Sequence, residues 1–218
     1  MNVARLAALL ALPTLLAACG APGGGTVDTY GHSYSSDAEV ARVAYRDPGP
    51  ARLTLLTMVS NETGSGAHTS LMINASQRVI FDPAGTVNNK QVLPEQGDVL
   101  YGITPRIEGW YKRAHARDTH RVIIQDIDVS PEVAEMALRL VQANGGVGQA
   151  QCAAATSAIL AQLPGFQSIS ATWFPNALEE QFQALPGVRR TVLREADTLG
   201  DRELADAGAE QFTRVVAE

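Results

Sequence analysis

Gly145-Gly146-Val147-Gly148-Gln149-Ala150-Gln151-Cys152-Ala153-Ala154-Ala155-Thr156-Ser157-Ala158 decides the fold of this chain. Three glycines break the preceding element, and an alanine-rich run then opens a helix with Cys152 in its first turn. Backbone N–H groups at a helix start are unpaired and carry partial positive charge, so a thiol there ionises more easily. A thiolate is the nucleophile that acyl-transfer chemistry needs. The same pattern also fits an inert cysteine buried in a small-residue contact, and the helix alone does not separate the two readings.

Working outward, His68 follows the flexible stretch Gly64-Ser65-Gly66-Ala67 and starts a strand, His68–Ile73. A second strand, Arg78–Phe81, follows a turn at Asn74-Ala75-Ser76-Gln77 and ends in Asp82-Pro83-Ala84-Gly85. A strand-edge imidazole beside a helix-borne thiol can accept its proton and return it to a leaving group. Asp82 at the end of the partner strand can fix the imidazole's tautomer, or it can simply form the turn by bonding its own backbone. Asp82 and His68 have the same parity, but the hairpin between them can shift the register by one residue, so parity leaves the pairing open. Asn61, in the loop before His68, is the next candidate for a third member.

Gly66–Ile73, Arg78–Gly85 and Gln151–Ala154 together resemble the circularly permuted branch of the NlpC-like papain-fold superfamily, over about residues 51–185. In that branch, which includes relatives of lecithin:retinol acyltransferase, the His strand precedes the Cys helix, as His68 precedes Cys152 here. The resemblance implies an α+β, papain-like fold, a small antiparallel sheet packed by helices, with Cys152 as nucleophile and His68 as base. The relatives carry their third polar residue nearer the His strand, about where Ile80 stands. Asp82 substitutes for it in this reading.

The N-terminus sets the compartment. Arg5 precedes an apolar run from Leu6 to Ala18 that is shorter than the about 20 residues of a membrane-spanning helix. The run closes on Leu16-Ala17-Ala18-Cys19-Gly20, which resembles the lipobox of bacterial lipoproteins. That resemblance implies a signal peptide over 1–18, lipidation of Cys19 and a membrane partner held through acyl chains. Gly20 in place of Asp implies the outer membrane, facing the periplasm. If Cys19 is lipidated, Cys152 has no intrachain disulfide partner, since the chain has two cysteines.

Composition reads residues 19–50, rich in Gly, Ser, Pro and Asp, as a lipidated cysteine and flexible tether, with room for a short helix at Asp37–Val43. The domain is expected over 51–190. Strands are expected at Leu53–Val59, Asp98–Ile103 and Arg121–Ile127. Helices are expected at 130–143, 151–162 and 176–184, followed by a 191–218 extension with a helix at Leu204–Val216. The formal charge of −6 and the absence of a basic block argue against nucleic acid. His115 and His120 lie five apart, not the four that would place two ligands on one helix face, so neither a metal nor another cofactor is implied. His32 falls in the tether, and Trp110, Tyr111, Trp173 and Phe174 read as core or groove lining.

The expected function is an envelope-anchored cysteine hydrolase or acyltransferase. A peptidoglycan peptide amide is the expected substrate and a lipid acyl group the alternative. A lipoprotein that keeps the fold only for binding is the competing class.

Overall fold

The computed structural model describes residues 26–27, 33–85 and 93–198. The expected signal peptide, Cys19, His32 and the Leu204–Val216 helix lie outside these residues. Strands β1 (Thr26–Val27) and β2 (Ser33–Tyr34) precede helix α1 (Asp37–Arg42). Strands β3 (Arg52–Ser60), β4 (Gly66–Asn74), β5 (Arg78–Phe81), β6 (Glu95–Gln96) and β7 (Val99–Leu100) follow. Then come α2 (Pro105–His115), β8 (His120–Asp128), α3 (Pro131–Asn144), α4 (Cys152–Leu160), α5 (Pro175–Gln183), β9 (Arg189–Leu193) and a 3-10 turn at Glu195–Thr198. The strands pair antiparallel throughout in one open sheet, in the order β1-β2-β6-β7-β5-β4-β3-β8-β9. The class is therefore α+β.

Both faces of the sheet are covered, which explains why Leu53–Val59 reads as an almost unbroken apolar run. Leu53, Leu55, Leu71, Ile73, Val79 and Phe81 point to one face, under Ala137 and Leu138 of α3, Ile159 of α4 and Phe182 of α5. Leu56, Met58, Met72, Ile80 and Val122 point to the other, under Tyr111, Ile107 and Trp110 of α2. Burying a large apolar side chain contributes about 1.5–3 kcal/mol, so each layer is held mainly by its own row of strand residues.

Helix α2 departs from the expected organisation, in which helices follow the sheet. It begins as α3 does. Thr104 caps it through a bond from Ile107 N–H at 3.3 Å with Pro105 next, and Ser130 caps α3 through Val133 N–H with Pro131 next. Its charged sequence, Arg106, Glu108, Lys112 and Arg113, masks the apolar stripe formed by Ile107, Trp110 and Tyr111.

The tether reading over 19–50 is corrected for residues 33–50. Val40 is buried in the core, Gly102 packs against Val43, Asp47 N–H donates to Asn74 Oδ1 at 3.2 Å, and Arg78 N–H donates to the Tyr45 carbonyl at 2.6 Å. Gly and Pro fraction suggested a tether, but this segment finds its partners in tertiary contacts. The expected strand Asp98–Ile103 shortens to β7, because Gly102 turns the chain at φ 76°. At the other end, the boundary drawn at residue 190 cuts β9, which pairs with β8 from Asp126↔Arg189 to Val122↔Leu193.

Candidate active site

The β4–β5 hairpin turns through Ala75, Ser76 and Gln77, pairing Asn74 with Arg78 and Leu71 with Phe81. That register joins residues of equal parity, so the open question about Asp82 resolves. Continued by one residue, it places Asp82 across from Ser70, on the face that carries His68. A bulge between Met58↔His68 and Val59↔Gly66 sits directly before His68 on the other side of β4. Bulges re-aim side chains at strand ends, and this one falls where the imidazole leaves the ladder.

His68 Nε2 lies 2.7 Å from Asp82 Oδ1. His68 is also coupled to the Cys152 thiol by a side-chain hydrogen bond. Helix α4 lies on β4 and begins at Cys152. Backbone N–H groups of Thr69 and Ala153 also donate to the sulfur. Cys152, His68 and Asp82 are thus brought together, all three buried. The lone free thiol among the described residues is this one.

The charges of the three groups are mutually supporting. Burial pushes the Cys152 thiol up, but His68 and the two backbone donors outweigh it and leave it below its ordinary value. Burial likewise disfavours protonated His68, yet the bonds to Asp82 and Cys152 raise it to about 9. Asp82 is desolvated, and His68, His115 and Tyr111 still hold it below the usual carboxylate range. The arrangement favours thiolate, imidazolium and carboxylate in a row.

Three further residues complete the site, and sequence reasoning missed their roles. The Tyr111 hydroxyl lies 2.9 Å from Asp82 Oδ1 and 3.0 Å from Ser70 Oγ. His115 stacks on His68 with centroids 6.4 Å apart, and its Nδ1 lies 2.8 Å from the Tyr111 carbonyl. Burial keeps His115 below its ordinary pKa. Tyr111 and His115 are one helical turn apart on α2, a spacing that becomes informative only once α2 is known to be a helix. Asp98, expected only to open a strand, accepts at Oδ2 from Ala84 N–H at 3.2 Å and Val147 N–H at 3.0 Å. It ties the loop after Asp82 to the loop before Cys152.

Two non-glycine residues take positive φ among the described residues, Ala84 at 69° and Ala150 at 64°. Each lies two positions from a site residue, Ala84 after Asp82 and Ala150 before Cys152. Left-handed backbone costs an alanine about 1–2 kcal/mol, so both loops store strain where the three groups converge.

The other candidates lie elsewhere. Asn61 Nδ2 donates to the carbonyls of Arg117 and Asp118, so the alternative third member is engaged away from His68. His120 contacts Thr119, and no group of three metal-binding side chains occurs among the described residues. Trp173 and Phe174 are exposed rather than core. No family model, curated protein or solved structure matches the chain.

Proposed function

We propose that the chain is a cysteine hydrolase of the bacterial envelope, using Cys152, His68 and Asp82 on a permuted papain-like fold. The observation that carries this reading is His68 held between a helix-start thiol and a buried carboxylate, 2.7 Å from the latter. The strand-before-helix order of β4 and α4 supports the permuted topology.

In this mechanism the Cys152 thiolate attacks an amide or ester carbonyl, forming the S–C bond and an oxyanion. The Cys152 N–H, one of the unpaired donors of a helix start, would receive that oxyanion. His68 gives its proton to the leaving amine as the C–N bond breaks. A water then attacks the thioester, His68 takes its proton, and the acid leaves as the thiolate reforms. Asp82 accepts the Nε2–H bond throughout and stabilises the imidazolium. The proposed location, anchored through Cys19 to the outer membrane and facing the periplasm, makes a peptidoglycan peptide amide the substrate of choice. If the acceptor were a lipid or amine instead of water, the same steps would make an acyltransferase.

The test uses isolated peptidoglycan fragments and the intact chain. Amide cleavage by the wild type and its loss in Cys152→Ala is expected. A wild type that cleaves nothing, and whose Cys152 alkylates no faster than a free thiol, leaves the binding-module alternative. Cys19→Ser should abolish lipid labelling, and unchanged labelling removes the anchor.

A further inference from the structure

We propose that Tyr111 is a positioning residue of this site, its hydroxyl donating from the opposite helical layer to Asp82 Oδ1 and holding the carboxylate turned toward His68. The inference rests on the triad reading above and extends it to a residue on another element.

The donor assignment follows from proton counting. A phenol carries one proton and a carboxylate only accepts, so the Tyr111 proton points to Asp82 at 2.9 Å. The Ser70 hydroxyl, 3.0 Å away, then donates to the phenol oxygen. The chain runs from Ser70 to Tyr111 to Asp82, and His68 donates to the same Asp82 oxygen. Ser70 and His68 both belong to β4, so the network closes on the strand that carries the base. Tyr111 is fully buried, and its ring packs on His115 at 4.5 Å. Asp82 itself sits at a strand end beside a strained turn, where the β5 ladder has stopped. Its backbone N–H reaches the Asp98 carbonyl at 2.8 Å, but that bond leaves the side-chain torsion undetermined. A buried donor on α2 adds a constraint on that side chain from the opposite layer.

The titratable groups around Asp82 are His68 from β4, Tyr111 and His115 from α2, and Cys152 from α4 through His68. Removing the Tyr111 hydroxyl withdraws a donor from the Asp82 carboxylate and an acceptor from Ser70. Asp82 then protonates at higher pH, and below that point the His68–Cys152 ion pair loses its support.

The experiment is the pH dependence of iodoacetamide alkylation, read by mass spectrometry on the Cys152 peptide of the full chain. In wild type the acid limb should lie well below the about 8.5 of a free thiol. In Tyr111→Phe, which keeps the ring, the limb should move up by about one pH unit. In an Asp82→Asn background the same substitution should move it no further, because Tyr111 acts through Asp82. Ser70→Ala, leaving Tyr111 in place, should shift it the same way by less, and it carries the test if the Phe variant does not fold. A limb unmoved in folded Tyr111→Phe, or moved equally in the Asp82→Asn background, overturns the positioning role while leaving the triad standing. A wild-type limb at the free-thiol value overturns the triad and this proposal together.

Discussion

Asp82 Oδ1 lies 2.7 Å from His68 Nε2 because an even hairpin register sets Asp82 opposite Ser70, one pleat along from His68. The carboxylate thus approaches as a diagonal cross-strand neighbour and needs no loop to bring it. A turn-forming Asp would tolerate Asn freely. A buried carboxylate under an imidazolium would not. Asp82→Asn should therefore fold, yet lower turnover by about two to four orders of magnitude. Wild-type turnover in a folded Asn variant would reduce the site to Cys152 and His68.

The pH window follows from the same contacts. His68 is raised to about 9, so its contribution to stability is full below its ordinary value of 6.5 and fades as pH rises through about 9. Cys152 and Asp82 are lowered, so theirs are present above their ordinary values and fade as pH falls through the lowered ones. Turnover should be bell-shaped, losing its basic limb near pH 9, where His68 no longer has a proton for the leaving group. A basic limb near 6.5 would mean that His68 titrates as a free imidazole.

Cys152, His68 and Asp82 were legible because their chemistry coincides with element boundaries: a glycine-rich break, a strand start and an Asp-Pro turn. Arg78–Phe81 emerged with its ends unchanged for the same reason. Tyr111 and His115 were not legible. Their role needs α2 to pack on the His68 face, and the charges of that helix conceal its apolar stripe. Asp98 was missed because its partners, Ala84 and Val147, are far apart in sequence and offer only backbone N–H groups. Residues 33–50 were misread because tertiary hydrogen bonds, invisible to composition, hold them.

Asp98 should matter through those two bonds. Asp98→Ala leaves the Ala84 and Val147 N–H groups without this acceptor, at a cost of about 1–3 kcal/mol for each that stays buried and unpaired. Thermal melting should fall, and Cys152 alkylation near neutral pH should slow as the two loops drift apart. Asp98→Asn can still present one oxygen to both donors and should be milder on both counts. Equal damage from Asn and Ala would point to the charge, and not the bridge, as what Asp98 supplies.

The close approach of α5 to β4 gives the last prediction. Gly66 opens β4 two residues before His68. A Cβ there would lie 2.6 Å from Asn176 Oδ1, 2.7 Å from Pro175 Cβ and 2.9 Å from Asn176 N. Pro175 is ring-locked and Asn176 N is backbone, so neither can swing aside. The start of α5 must lift, which also strains the bond from Asn176 Nδ2 to the Gly64 carbonyl at 2.9 Å. Gly66→Ala should cost about 1–3 kcal/mol and slow Cys152 alkylation, since His68 shares the displaced strand end. Gly64→Ala is the control. Nothing lies within 4 Å of its added Cβ, but its φ of 73° belongs to glycine. That variant should lose about 1–2 kcal/mol from backbone strain while Cys152 alkylates as in wild type. If both variants slow alkylation alike, hairpin strain would govern His68 and the packing of α5 on Gly66 would not.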